Sequence, residues 1–176
     1  MTRRGSVLGG LAAVVAMGCG GVSSTADSGT STPKPGSVVI NELAGSGGDF
    51  VEFYNPGDSA FELSGFGITD AESDGGVRYA TSLRFPTGAQ VPAKGWFTVF
   101  LETDCPATVS PCVRGEFGLS QAGGDLVTVL DANNATVAQQ AWPPNAAPSG
   151  SSWARKTDGA ETFEVQRRSP GAANAP

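Results

Sequence analysis

The chain has 176 residues, with 17 Asp and Glu against 11 Lys and Arg, a formal net charge of −6, and no histidine. The negative balance argues against general nucleic-acid binding, because phosphate backbones are bound chiefly through Lys and Arg. The lack of histidine excludes Ser-His-Asp and Cys-His catalysis and histidine-containing zinc sites.

Residues 1–18 are predicted to be an export signal. Arg3 and Arg4 form a short positive region, and the apolar run that follows is shorter than the ~20 residues that a membrane-spanning helix needs. The run ends in Ala16-Met17-Gly18-Cys19, which resembles a bacterial lipobox. Cys19 is therefore predicted to carry the lipid that anchors the mature protein to a membrane. The alternative is an ordinary secretory signal with Cys19 as an incidental thiol.

Residues 19–36 are predicted to be a flexible tether, because Ser, Thr, Gly and Pro dominate and no periodic apolar residue offsets the entropy of ordering. Removal of the signal would leave nine basic residues against 17 acidic ones, a formal charge of about −8. Membrane attachment would then come from the acyl chains rather than from anionic lipid. The predicted location is the bacterial cell envelope, and Gly20 after the cysteine favours the outer membrane.

Residues 37–174 are predicted to form one all-β domain. Apolar residues recur with a period of two, and segments 96–101 and 125–130 are rich in β-branched and aromatic residues. Residues 131–134 are predicted to join the second of these segments to residues 136–142 as a hairpin. Many short strands between Gly, Pro and Asn turns predict a sandwich or small barrel without a long helix.

Cys105 and Cys112 are predicted to form a disulfide. They flank a short polar loop with two prolines between predicted strands, and paired cysteines usually bridge in an oxidising compartment. A metal site has poor support because the chain has no second cysteine pair and no histidine.

Several short motifs follow one another in a specific order along this domain. They are Ile40-Asn41-Glu42, residues 49–55, residues 61–70, Phe85-Pro86 to Trp96, residues 117–125, and Ser169 to Asn174. In this order they resemble the lamin-tail domain of many exported bacterial proteins. The resemblance implies an immunoglobulin-like β-sandwich with a hairpin across residues 85–96. Phe50 replaces the common Trp, and the loop with the two cysteines looks like an insertion.

Asn41, Glu42 and Glu52 are polar residues within otherwise apolar predicted strands. Buried polar groups need hydrogen-bond partners, so we interpret these three as structural polar anchors. The functional alternative is a carboxylate pair for acid/base chemistry or, with Asp49, a cation site.

Asp70, Glu72 and Asp74 have the alternating carboxylate spacing of a calcium loop, and a glycine follows them. Arg78 and Thr81 stand at the ninth and twelfth positions, where a full loop needs a water-compatible residue and a bidentate Glu. The match is partial, and a solvated loop is the favoured interpretation.

The remaining candidate binding residues are three tryptophans and two pairs of basic residues. Trp96, Trp142 and Trp153 are interpreted as core residues rather than as a platform for sugars. The pairs Arg155-Lys156 and Arg167-Arg168 are interpreted as solvated strand ends rather than as a surface for an acidic polymer.

The favoured hypothesis is a non-enzymatic β-sandwich, anchored to the membrane by its N-terminal lipid, that contacts another protein or an envelope polymer by adding a strand at an exposed sheet edge. Under this hypothesis the protein is expected to bind neither a cofactor nor nucleic acid. The first alternative is a calcium- or carbohydrate-binding module. The second is an accessory domain associated with a hydrolase, which the family resemblance implies.

Overall fold

The computed structural model describes residues 38–72, 75–79 and 83–175. The predicted signal, Cys19, the tether and Asp74 lie outside them. The described residues form an all-β fold without an α-helix. Within these ranges there is accordingly no helix long and apolar enough to cross a membrane. The strands are β1 (Val39–Ala44), β2 (Phe50–Tyr54), β3 (Phe61–Glu62), β4 (Gly67–Thr69), β5 (Leu83–Arg84), β6 (Gln90–Val91), β7 (Trp96–Leu101), β8 (Cys112–Gly115), β9 (Asp125–Leu130), β10 (Thr136–Trp142), β11 (Ser151–Arg155) and β12 (Phe163–Arg167).

Two sheets form the layers of an immunoglobulin-like sandwich. The larger sheet has the order β12-β11-β1-β2-β7-β8, and the smaller has the order β10-β9-β4-β5. Strands β3 and β6 form a separate two-stranded ladder. All pairings are antiparallel except that of β7 with β8. Strand β1, third in the larger sheet, contacts β10, the edge strand of the smaller sheet.

The core lies between the two sheets because alternate side chains of each strand point inward. From the larger sheet Val51 of β2 and Val99 of β7 are fully buried, and from the smaller sheet Ile68 of β4 and Val127 of β9 are fully buried. The Phe85 ring meets Phe53 and Phe97 edge-on, at centroid distances of 5.8 and 5.6 Å. Burial of every second side chain along the strands of both sheets is what holds the two layers of the sandwich together.

The predicted strands at 96–101 and 125–130 and the hairpin formed by β9 and β10 are confirmed. Asn134 in the connecting turn has a φ of 65°, a left-handed conformation that Asn tolerates. The hairpin predicted across residues 85–96 is wrong, because β5 pairs with β4 and β6 pairs with β3. Pro86 lies shortly after β5 and Pro92 directly after β6. Neither has a backbone N–H, so neither can donate a hydrogen bond that would lengthen these short strands.

Cys105 and Cys112 form the predicted disulfide, with their Cα atoms 6.1 Å apart. The bridge closes a loop that leads into β8. Val109 of this loop packs with Ala44, Phe50 and Phe100 in a second apolar cluster, separate from the core between the sheets. The loop therefore covers part of the outer face of the larger sheet.

Replacement of both cysteines with serine is expected to lower the free energy of unfolding by about 2 to 3 kcal/mol, because the bridge restricts the unfolded chain by closing a short loop. Urea unfolding of the double variant and of the oxidised parent measures the difference. Equal midpoints for the two proteins would contradict the expectation.

Candidate functional site

The outer face of the larger sheet holds a buried polar cluster built from three neighbouring strands. Glu42 of β1 lies directly opposite Glu52 of β2, and Glu52 lies opposite Thr98 of β7. All three residues have 0% exposure. The Thr98 hydroxyl donates a hydrogen bond to Glu52 Oε2 at 3.1 Å. The strand register alone thus brings two carboxyl groups together away from water.

Residues 168–175, here called the C-terminal segment, cover these carboxyl groups. The backbone N–H and the hydroxyl of Ser169 donate hydrogen bonds to the two oxygens of Glu42 at 3.0 and 2.8 Å. The backbone N–H of Gly171 donates to Glu52 Oε2 at 2.5 Å. Glu42 and Glu52 therefore hold the C-terminal segment against the sheet.

Asn41 and Asn174 extend the same polar cluster. The Asn41 amide donates to Asp158 at 2.9 Å and accepts from the backbone N–H of Gly159 at 3.1 Å. The Asn174 amide donates to the carbonyl oxygen of Arg155 at 2.8 Å, and its backbone N–H donates to Asp158 at 3.1 Å. The amides of Asn41 and Asn174 thus tie β1, the loop before β12 and the C-terminal segment together.

Burial shifts the electrostatics of this cluster. The pKa of Glu52 is raised to about 8, chiefly by desolvation and also by the neighbouring Glu42, whereas the hydrogen bond from Gly171 opposes the shift. Burial also raises the pKa of Glu42, although its bonds from Ser169 oppose the shift. At neutral pH Glu52 therefore holds its proton. Among the described residues, Glu52 Oε1 has no hydrogen-bond partner.

The burial and partners of Asn41, Glu42 and Glu52 support the anchor interpretation. Acid/base chemistry needs a carboxyl group that a substrate can reach, and neither glutamate is exposed. The alternative cation site would also need Asp49 as a ligand. The carboxylate of Asp49 accepts a hydrogen bond at 3.1 Å from the backbone N–H of Leu119. Its carboxyl group is thereby used to hold the segment before β9.

The predicted calcium loop is described only in part, since Asp74 lies outside the described residues. Asp70 and Glu72 each form an ion pair with Arg78, at 3.5 and 3.6 Å. Asp70 is only 3% exposed, so the interpretation as a solvated loop is wrong for this residue. Within the described ranges, no group of three potential metal-ligating side chains is found. Calcium binding stays a prediction.

Asp125 is a structural residue that the sequence interpretation missed. Its carboxylate accepts hydrogen bonds from the backbone N–H groups of Ala71 at 3.0 Å, Ser120 at 3.1 Å and Leu126 at 2.8 Å. The carboxylate thereby fixes the loop after β4 and the loop before β9 to each other. The only sequence signal was an acidic residue directly after the Gly123-Gly124 turn.

The tryptophans do not form a common exposed platform. Trp142 is 1% exposed in the core. Trp153 stacks on Phe163 with ring centroids 6.1 Å apart, and Trp96 lies 5.9 Å from Tyr54. These positions favour the packing interpretation over a sugar-binding surface.

The interpretation of the basic pairs as solvated strand ends is wrong for one residue of each pair. Arg155 donates hydrogen bonds to the carbonyl oxygens of Ile40 and Ala160. Arg168 donates to the carbonyl oxygens of Gly47 and Gly48. Both guanidinium groups thus donate to backbone carbonyl oxygens, whereas Lys156 and Arg167 are exposed.

Strand β10 forms an open edge of the smaller sheet. Its backbone pairs with β9 on one side and has no backbone hydrogen bond to any other described segment. The whole of residues 132–154, which includes β10, has no charged side chain. Such an unprotected edge is a template for pairing with another strand.

The other sheet edges are short or charged. Strand β12 contains Glu164 and Arg167, and β8 contains Arg114, which forms ion pairs with Asp104 and Glu116. Strand β5 has only two residues. Among the described edge strands, β10 is therefore the one that is both longer than two residues and free of charged side chains.

An apolar cavity of about 250 Å³ lies beside β10. Val137 and Ala138 of β10 line it, together with Phe61, Leu63 and Val38, which directly precedes β1. Val137 is 51% exposed, which is unusual for a large aliphatic side chain next to a core. The open edge and the cavity form one continuous surface.

The comparisons with known proteins point to one family. The family model described as Lamin Tail Domain matches residues 31–144. No curated protein matches the chain. The matched range contains β1 to β10 and both buried glutamates, whereas β11, β12 and the C-terminal segment lie beyond it.

Proposed function

The chain belongs to the lamin tail domain family, and from this premise we propose that it is a non-enzymatic interaction module of the bacterial cell envelope that binds a partner protein by adding a partner strand to β10. The β-sandwich of this family suggests protein interaction in general. The open edge of β10 is the observation that supports this particular mode.

The composition of β10 suits strand addition. Natural proteins block sheet edges with Lys, Pro, bulges or very short strands. Strand β10 is seven residues long and has neither a charge nor a proline, and its one irregularity lies at its first residues, between Thr136 and Ala138. A partner strand would pair with unbonded N–H and C=O groups, which supply affinity in this recognition mode.

The proposed location depends on the N-terminal pattern. Arg3, Arg4, the apolar run and Cys19 support export and lipid attachment, and the tether of residues 19–36 would hold the sandwich away from the lipid surface. The proposed absence of catalysis is supported by the use of Glu42 and Glu52 as buried partners of the C-terminal segment.

Val137→Lys is expected to lower the amount of partner protein captured from envelope extract about tenfold or more, because a lysine on an edge strand opposes strand addition. The purified chain is immobilised, and captured proteins are quantified by mass spectrometry.

The matched control is Val165→Lys. Val165 also lies on an edge strand, β12, and is 49% exposed against 51% for Val137. It should leave capture unchanged. Equal capture by the parent and both variants would overturn the proposed use of β10.

A further inference from the structure

We propose that the apolar cavity beside β10 receives one large apolar side chain, aromatic or aliphatic, from an uncharged extended segment of the partner. This inference rests on the proposed function, since it names the chemistry of the strand that β10 accepts. It assigns specificity to the cavity, whereas the backbone of β10 supplies pairing.

The size and chemistry of the cavity fit such an anchor. An apolar cavity of about 150 Å³ already accommodates benzene, and the cavity beside β10 is larger, at about 250 Å³. Phe61, Leu63, Phe66 and Val129 contribute apolar surface to its wall. A phenylalanine or leucine side chain would fill it without burying a polar group.

The position of the cavity links it to strand addition. Ala138 lies in the ladder opposite Val129 of β9, and both residues line the cavity. Side chains of paired strands that lie opposite each other share one face of the sheet. A strand added to the free side of β10 would therefore place one side chain next to Ala138, at the mouth of the cavity.

The absence of charged side chains among the described residues around the cavity favours an uncharged peptide segment as its ligand. A charged side chain would lose its hydration in the cavity and find no opposite charge there, because every described residue that lines the cavity is apolar and residues 132–154 of the edge have no charge. The unbonded N–H and C=O groups of β10 need hydrogen-bond partners along the strand, which a hydrocarbon chain cannot supply. An uncharged peptide strand satisfies both requirements, and a lipid satisfies only one.

Two synthetic peptides test the inference with the purified chain. Both are acetylated and amidated, consist of alternating Thr and Val, and differ only by Phe or Ala at the central position. Calorimetry should show about tenfold or stronger binding of the Phe peptide, because the Phe side chain buries much more apolar surface in the cavity than the Ala side chain does.

A pair of variants locates the binding energy. Ala138→Leu fills the cavity, so the Phe peptide should bind this variant no better than the Ala peptide does. Ala141→Leu makes the same change on the opposite face of β10 and should preserve the preference for Phe. A preference for Phe that survives Ala138→Leu would overturn the inference.

The outcomes separate the two proposals. If both peptides bind equally to the parent chain, strand addition stands and the anchor inference fails. If neither peptide binds, the proposed function fails, and the inference fails with it. Laurate serves as the third probe: laurate binding that Ala138→Leu abolishes and that the Phe peptide does not displace would assign the cavity to a lipid and overturn the inference.

Discussion

Raising the pH from about 5 to about 8 is expected to lower the free energy of unfolding by about 3 to 4 kcal/mol. The pKa of Glu52 is raised from 4.5 to about 8 in the folded protein. Below the lower value the carboxyl group is protonated in both states and contributes no pH dependence. Between the two values the unfolded chain loses the proton and the folded protein keeps it, so stability falls as the pH rises.

Urea unfolding measured at intervals across this range tests the expectation. Glu52→Gln keeps the neutral shape of the protonated side chain and should remove most of the slope. Glu42 also has a raised pKa, so a smaller slope of the same sign should remain in the variant. Identical slopes in the parent and in Glu52→Gln would show that Glu52 does not hold its proton in the folded protein.

Truncation after Arg168 is expected to lower the free energy of unfolding by about 4 kcal/mol or more, because hydrogen bonds to charged or buried polar groups are worth about 1.5 to 3 kcal/mol each. The truncation removes the donors of Ser169 and Gly171 to the two glutamates. It also removes Asn174, whose amide binds the carbonyl oxygen of Arg155. Denaturant unfolding monitored by tryptophan fluorescence measures the loss.

Two further variants keep this test decisive. Removal of Ala175 and Pro176 alone spares every one of these hydrogen bonds and should leave stability unchanged. Ser169→Ala keeps the backbone donor to Glu42 but removes the hydroxyl that bonds Glu42 at 2.8 Å and Asn174 Oδ1 at 3.3 Å. It should lower the free energy of unfolding by about 1 to 2 kcal/mol. A truncated chain as stable as the parent would contradict the role assigned to the C-terminal segment.

Local sequence patterns predicted the sandwich because its strands are local features. Runs rich in β-branched and aromatic residues identify Trp96–Leu101 and Asp125–Leu130, and the Asp131–Asn134 turn identifies the hairpin with β10. The hairpin across residues 85–96 failed for a tertiary reason. Phe85 and Val91 are both buried, but Phe85 follows β5, which pairs with β4, whereas Val91 belongs to β6, which pairs with β3. No local pattern distinguishes these two ladders.

The buried polar cluster could be predicted only in part. Polar residues within apolar strands mark Asn41, Glu42 and Glu52 as candidates for buried anchors. Their partners lie far away in sequence, since Ser169 is 127 positions from Glu42. The Ser169 to Asn174 motif has no strand pattern of its own, so the contacts that it makes follow from the fold alone.

The status of β10 as an edge could not be predicted from its own residues. Its neighbours depend on the order of all strands in the smaller sheet. The uncharged run of residues 132–154 is visible in the sequence, but the sequence analysis did not connect it with a sheet edge. Arg155, which ends the run, was misread as solvated because its carbonyl partners are tertiary contacts.

Residue-resolved amide hydrogen exchange, with and without the neutral Phe peptide, tests the central claim of strand addition most directly. The claim predicts slower exchange at the amides of β10 that do not pair with β9, and unchanged exchange along β12, the charged edge of the larger sheet. Protection along β12, or no protection along β10 with peptide bound, would contradict it.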